Sequence, residues 1–187
     1  MKVVSARTDI AQFGSVSEGV DSPLSLCYDV SIGGRHMIIY KEGNMFDSDA
    51  NYLVNPVNTV GTSGKGLALE FKKKYPKVDK IYQAVCSYDE FKIGDILQVP
   101  TGDDKFVLFF HTKKHWKDPS KYDYIERGLE SLKYFCQDMK KGSIVAIPQL
   151  GCGLGGLKWG KVNQLIYNYL KDIDHVTFYI YGPDIKE

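Results

Sequence analysis

The feature that most constrains this chain is a pair of glycine-dense loops, each set between a short apolar run and a helical pattern. The first reads Asn55-Pro-Val-Asn58-Thr-Val-Gly61-Thr-Ser-Gly64-Lys-Gly66-Leu-Ala. The second reads Ile147-Pro-Gln-Leu-Gly151-Cys-Gly153-Leu-Gly155-Gly156. Glycine lets backbone N–H groups come close to a ligand. A following helix adds the partial positive charge of its N-terminus. Tight turns alone would account for one such loop. Two of them on one sheet edge could clamp a diphosphate from both sides. Neither loop fits a familiar nucleotide motif. A P-loop needs GxxxxGK followed by Ser or Thr, whereas here Thr59 occupies the first glycine position and Gly66 follows Lys65. The Gly151 to Gly156 run lacks the later strand with an acidic residue that a dinucleotide fingerprint requires.

The runs around these loops alternate between strand and helix. Met37 to Tyr40 reads as a strand ended by Gly43-Asn44, and Tyr52 to Val54 as a short buried strand running into Asn55-Pro56. Leu67 to Lys74 reads as a helix stopped at Tyr75-Pro76, because the residue before proline disfavours helical dihedrals. Val78 to Cys86 is a second helix; Asp95 to Val99 and Phe106 to Phe110, continuing to His111, are apolar strands. Ile125, Leu129, Leu132, Cys136 and Met139 recur at helical spacing over Tyr122 to Met139, with Gly142 expected as the cap. Ile144 to Ile147 and Val176 to Tyr181 read as strands, with a helix over Trp159 to Leu170 between them. The pattern predicts an α/β sandwich around a mixed, mainly parallel sheet. Residues 1–36 are poorly patterned, apart from Val3 and Val4, which could open a strand. They read as an N-terminal extension of unknown role, with the main domain over 37–187.

Composition narrows the partners. Twenty-four Lys+Arg against 23 Asp+Glu give a net charge of +1, so any contact with nucleic acid has to be local. Lys72, Lys73, Lys74, Lys77 and Lys80 form one basic cluster, and Lys113, Lys114, Lys117 and Lys121 form another with His115 and Trp116. Cationic side chains beside an aromatic suit a sugar-phosphate backbone and a stacked base, and equally a plain solvated face. No apolar run is long enough for a membrane helix, and the start lacks the apolar core of a secretory signal. Cys27, Cys86, Cys136 and Cys152 are scattered, and His111 and His115 lack a third ligand nearby. Reduced thiols, a cytoplasmic location and no metal are therefore expected.

The motifs together carry a resemblance. Gly43-Asn44, Asn55-Pro-Val-Asn58, Gly64-Lys-Gly66-Leu-Ala-Leu-Glu-Phe71 and Pro148-Gln-Leu-Gly151-Cys-Gly153-Leu resemble, in order, the loops of a macrodomain. That family is a three-layer α/β/α module that binds ADP-ribose, and the likeness spans about Met37 to Pro183. Within it the chain is most similar to the DarG antitoxin branch, related to terminal ADP-ribose protein glycohydrolase. Asn58-Thr-Val-Gly61, Thr112-Lys113-Lys114-His115-Trp116 and Gly151-Cys-Gly-Leu-Gly-Gly-Leu157 carry that finer likeness.

The resemblance implies an ADP-ribosyl hydrolase acting on ADP-ribosylated thymine in DNA. Hydrolysis of ADP-ribosylated protein or ADP-ribose 1″-phosphate, and an ADP-ribose reader without turnover, stay open beside it. It implies no cofactor. It implies a monomer, single-stranded DNA as a substrate carrier, and a toxin partner. Members of the branch carry a further C-terminal region, so a stand-alone role stays open for a chain that ends at Glu187.

Residue by residue, the resemblance places Asn44, in the position of an acidic residue, and Met45 at the adenine end, with Tyr181 packing on the base. Val57, Asn58, Ser63, Gly64, Gly66 and Leu67 fall on the proximal phosphate and distal ribose, where Asn58 would hold the ribose hydroxyls or else cap a turn. Pro148, Leu150, Gly151, Cys152, Gly153 and Leu154 wrap the diphosphate. Lys113 is the implied catalytic residue, either as an ammonium at the leaving group or, if desolvated, as a nucleophile toward the ribose. Lys114, His115 and Trp116 are the implied nucleic-acid contacts. Glycohydrolase relatives carry an acidic residue after Gly-Cys-Gly-Leu. Gly155 stands there in this chain, which counts against chemistry on protein carboxylate esters.

Overall fold

The computed structural model describes residues 3–5, 29–32 and 35–182. The expected extension over 1–36 falls largely outside them. The elements in chain order are Val3–Ser5 (β1), Asp29–Ile32 (β2), Arg35–Lys41 (β3), Tyr52–Asn58 (β4), Gly66–Lys74 (α1), Pro76–Ser87 (α2) and Ile96–Pro100 (β5). Phe106–Lys113 (β6), Tyr122–Gln137 (α3), Ser143–Pro148 (β7), Trp159–Leu170 (α4) and Val176–Tyr181 (β8) complete the described chain. A single turn of 3₁₀ helix, Met45–Asp47, follows β3.

These strands form one sheet in the order β1-β5-β6-β4-β7-β8-β3-β2. The pairs β5–β6 and β2–β3 are antiparallel and the rest parallel, so the sheet is mixed and mainly parallel as the apolar runs predict. Successive side chains along a strand point to opposite faces. On β6, Leu108 and Phe110 join the core under α3 and α4, while Val107 and Phe109 join the core under α1 and α2. On β8, Phe178 and Ile180 face the first core and Tyr179 the second. Both faces are covered, which gives three layers and explains why these strands read as continuous apolar runs.

Helix α3 shows how sequence spacing becomes packing. Ile125, Leu129, Leu132 and Cys136 lie on one stripe and are fully buried. Burying a side chain of that size stabilises by roughly 1.5–3 kcal/mol. Gly128 lies on the same stripe, and a Cβ there would stand 2.2 Å from the Phe110 ring, so only glycine lets the helix settle on that ring. Gly142 does not cap α3. The helix ends at Gln137, and Gly142 turns the chain into β7 with its N–H donating to the His175 carbonyl. Pro76, expected to stop one helix, also starts the next at its first position, where a missing N–H costs nothing.

One irregularity makes the site. β4 and β7 pair only at Tyr52↔Val145 and Leu53↔Ala146. Beyond Leu53 the strands part, although β4 stays paired with β6 as far as Asn58↔Lys113, and β7 with β8 as far as Pro148↔Tyr181. The parallel strands therefore end on one edge of the sheet with a crevice between β4 and β7, which is where α/β sheets bind ligands.

Candidate functional site: a crevice between two glycine loops

A cavity of about 660 Å³ opens at that edge. Its walls come from the first loop (Val57, Asn58, Gly64, Gly66, Leu67), from the end of β6 and the turn after it (Lys113, Trp116), from the second loop (Pro148, Gly151, Gly153, Leu154) and from Tyr181. The structure thus brings together twelve of the residues implied by resemblance. Met45 and Leu150 are instead buried in the core, and Asn44, Ser63, Cys152, Lys114 and His115 lie off the cavity wall.

Asn58 organises the first loop. Its Oδ1 accepts the N–H groups of Val60 (3.1 Å) and Thr62 (3.2 Å), and its Nδ2 donates to the Thr62 carbonyl at 2.7 Å. The buried Tyr82 hydroxyl donates to the Asn58 backbone carbonyl. Burial raises the Tyr82 phenol well above its ordinary pKa, so it remains a donor. Thr59 ties the loop to the end of β6, its N–H and hydroxyl both donating to the Lys114 carbonyl. The loop then delivers α1, whose N-cap residue Lys65 makes no side-chain cap and whose first turn has no acid. Uncapped N–H groups at a helix N-terminus favour an anion.

The second loop folds on itself. Leu157 N–H donates to the Gly151 carbonyl (3.0 Å) and Gly156 N–H to the Gly153 carbonyl (3.1 Å). Gly155 is pressed inward: a Cβ there would stand 2.2 Å from Ser120 Oγ and 2.3 Å from the Gly151 carbonyl oxygen. No side chain fits at 155 without moving the loop, which gives a physical reason for glycine at that position.

Lys113, the last residue of β6, is half-buried, and its Nζ donates to the Leu154 carbonyl at 3.2 Å. Burial lowers its pKa from the ordinary 10.5, against an opposing pull from Asp118. A lysine so placed spans from the strand end to the second loop and holds a larger neutral fraction than a solvated one. Trp116 is half-exposed at the cavity rim, with Lys117 Nζ 4.9 Å from its ring and the His115 ring 5.2 Å away. Two residues before Lys113, His111 is buried against Phe91, with Nδ1 2.9 Å from the Lys92 carbonyl oxygen. Burial drives its pKa down to about 4, so it is a neutral core residue near neutral pH.

At the other end, Asn44 caps the 3₁₀ turn, its Oδ1 accepting Phe46 N–H at 3.1 Å. Tyr181 lines the cavity beside Pro148, and burial raises its phenol pKa. Sequence reasoning missed Pro56, Thr62, Lys65, Ala68, Thr112, Ser120, Gln149 and Gly155 as wall residues. Most are near neighbours of residues it did find. Ser120 is not, and its only signal was its position just before the helical pattern at Tyr122.

A mixed sheet under two helical layers, with a crevice between two glycine loops where the parallel strands end, defines a three-layer α/β/α module with a ligand crevice at its strand ends. The Macro domain family model matches residues 54–166, and the chain belongs to the macrodomain family. It is 41% identical over 150 residues to the DNA ADP-ribosyl glycohydrolase of Mycobacterium tuberculosis, matching 79% of this chain and 42% of that protein. The chain thus spans about two-fifths of the length of the curated relatives it matches. Among solved structures, the macrodomain of M. tuberculosis DarG superposes with a TM-score of 0.75 at 40% identity, covering 79% of this chain and 99% of that one. Thermosipho africanus DarTG in complex with ADP-ribose superposes at 0.69 with 36% identity, covering 80% and 42%.

Proposed function

We propose that this chain is an ADP-ribosyl hydrolase that removes ADP-ribose from thymine bases in DNA. The observation that carries this reading is Lys113, half-buried on the cavity wall with its amine on the second glycine loop. The names of the relatives, DNA ADP-ribosyl glycohydrolase and a DNA ADP-ribosyl transferase–glycohydrolase fusion, support the same substrate and a toxin partner. The diphosphate lies between the N-terminus of α1 and the second loop, and the adenine near Tyr181. The distal ribose is then presented to Lys113. Its lowered pKa favours the nucleophilic role: the neutral amine displaces the base at the anomeric carbon, the base leaving with the bonding electrons and taking the proton that the amine sheds, and the resulting glycosylamine opens to an imine that water hydrolyses, returning the free amine. Lys114, His115 and Trp116 flank the cavity mouth and hold the DNA strand as a monomeric enzyme engages it.

Hydrolysis of protein esters has less support, because no acid stands at 155 to assist it. The test compares release of ADP-ribose from an ADP-ribosylated thymidine oligonucleotide and from ADP-ribosylated protein, by wild type and Lys113→Ala. Turnover of the oligonucleotide by wild type alone is expected. ADP-ribose binding with no turnover of either substrate would leave a reader and remove the enzyme.

A further inference from the structure

Ser120 stands just ahead of α3, outside both glycine loops, yet its side chain is packed into the cavity wall. It is 95% buried (5% exposed), and its Oγ has no hydrogen-bond partner in the protein. Buried hydroxyls are rarely left so, because an unmade hydrogen bond forfeits the solvation lost on burial. The surroundings show what this hydroxyl serves. Ser120 N–H donates to the Gly155 carbonyl at 3.0 Å, which pins the serine beneath the second loop. Its Oγ lies 2.2 Å from where a Cβ on Gly155 would stand and 3.1 Å from where one on Gly151 would stand. It is therefore framed by two residues that carry no side chain, and both of them line the cavity with Ser120. The adjoining Leu154 carbonyl receives Lys113 Nζ, so Ser120 and Lys113 grip consecutive residues of one loop. The orphan hydroxyl therefore belongs to the Lys113 end of the crevice.

We propose that Ser120 is a substrate-contacting residue, its hydroxyl donating to an oxygen of the diphosphate–distal ribose portion of the ligand. The proposal rests on the ADP-ribose reading above. A serine hydroxyl rotates freely and needs one acceptor. Glycine at 151 and 155 keeps side chains out of its surroundings, and a ligand oxygen drawn against the loop supplies the acceptor that the protein does not.

Calorimetric titration of wild type and Ser120→Ala with AMP, ADP and ADP-ribose tests this. Removing the hydroxyl deletes an unsatisfied polar atom, so the ligand-free melting temperature of Ser120→Ala stays level or rises. ADP-ribose affinity is expected to fall about 5- to 10-fold, as for one lost hydrogen bond, while AMP affinity is unchanged. An equal loss for ADP assigns the contact to the second phosphate, and a loss confined to ADP-ribose assigns it to the distal ribose. Equal affinities of wild type and variant for all three ligands overturn the proposal and leave the ADP-ribose reading standing. Failure of wild type to bind ADP-ribose overturns both.

Discussion

Gly155→Ala adds a single methyl group and should disable the second loop. The φ of Gly155 is outside the left-handed region, so the effect is purely steric. The new Cβ would stand 2.3 Å from the Gly151 carbonyl oxygen and 2.2 Å from Ser120 Oγ, where ordinary contact begins at 3.4 Å. Relief requires the loop backbone to move by about 1 Å, since the carbonyl is not a flexible side-chain end. Overpacking of this kind costs about 1–3 kcal/mol, and for a chain of this size each kcal/mol lowers Tm by roughly 2–4 °C. The same shift moves the Leu154 carbonyl that holds Lys113, and misplacement by about 1 Å costs on the order of 10²-fold in rate. Gly153→Ala is the internal control. It has no neighbour within 4 Å, so it should match or slightly exceed wild-type stability, because alanine restricts the unfolded chain by about 0.4–1 kcal/mol. Combining Gly155→Ala with Ser120→Ala removes the hydroxyl clash but not the carbonyl clash, so stability recovers only in part. Urea denaturation midpoints and ADP-ribose affinities of the four proteins decide the matter. Wild-type values for Gly155→Ala, or a stability penalty for Gly153→Ala as large, would refute the steric account.

Four further outcomes are expected. Lys113→Ala should abolish turnover while ADP-ribose affinity stays within a few-fold, and reduction with borohydride during turnover should trap ADP-ribose on Lys113 of the wild type; no trapped adduct would exclude the nucleophilic role. Because burial lowers the Lys113 pKa, kcat/KM under that role should rise with pH and level off below the ordinary lysine value of 10.5; a rate that falls over this range would indicate an ammonium. His111 sits at about 4 when folded against about 6.5 unfolded, so the unfolded chain binds the extra proton between those values and stability is lost as pH falls from 6.5 to 4, by about 3 kcal/mol in all; His111→Gln should flatten that decline in denaturation midpoints. Tyr82→Phe should cost about 1–2 kcal/mol by stranding the Asn58 carbonyl and loosening the first loop, read as a lower Tm together with weaker ADP-ribose binding.

Much of the fold was legible because its signals are local. The helix over Trp159–Leu170 and the strand over Val176–Tyr181 follow from apolar spacing, and the structure ends them at the residues that spacing implies. The strand at Tyr52 runs further than its apolar run, to Asn58, because β6 continues alongside and supplies the ladder through Asn55 and Pro56. Val3 and Val4 open a strand as their apolar pair suggests, but its pairing with β5, and the whole of Asp29–Ile32 against β3, are set at the two outer edges by hydrogen bonds that no residue pattern announces. Asn58 shows the limit for the site. Its motif marks it as important, but only the loop geometry reveals that its amide is spent on Val60 and Thr62.

By itself the sequence determined the layers and the loops. Apolar period decides which face of each strand and helix is buried, and glycine density decides where backbone can approach a ligand, both within a few neighbouring residues. Only the tertiary structure decided what the loops enclose. The crevice exists because β4 and β7 part after Leu53, which depends on strands about 90 residues apart in the chain. Lys113 meets Leu154, and Ser120 slides beneath Gly155, through the same closure. Such contacts join residues whose separation carries no period, so their chemistry is settled by packing.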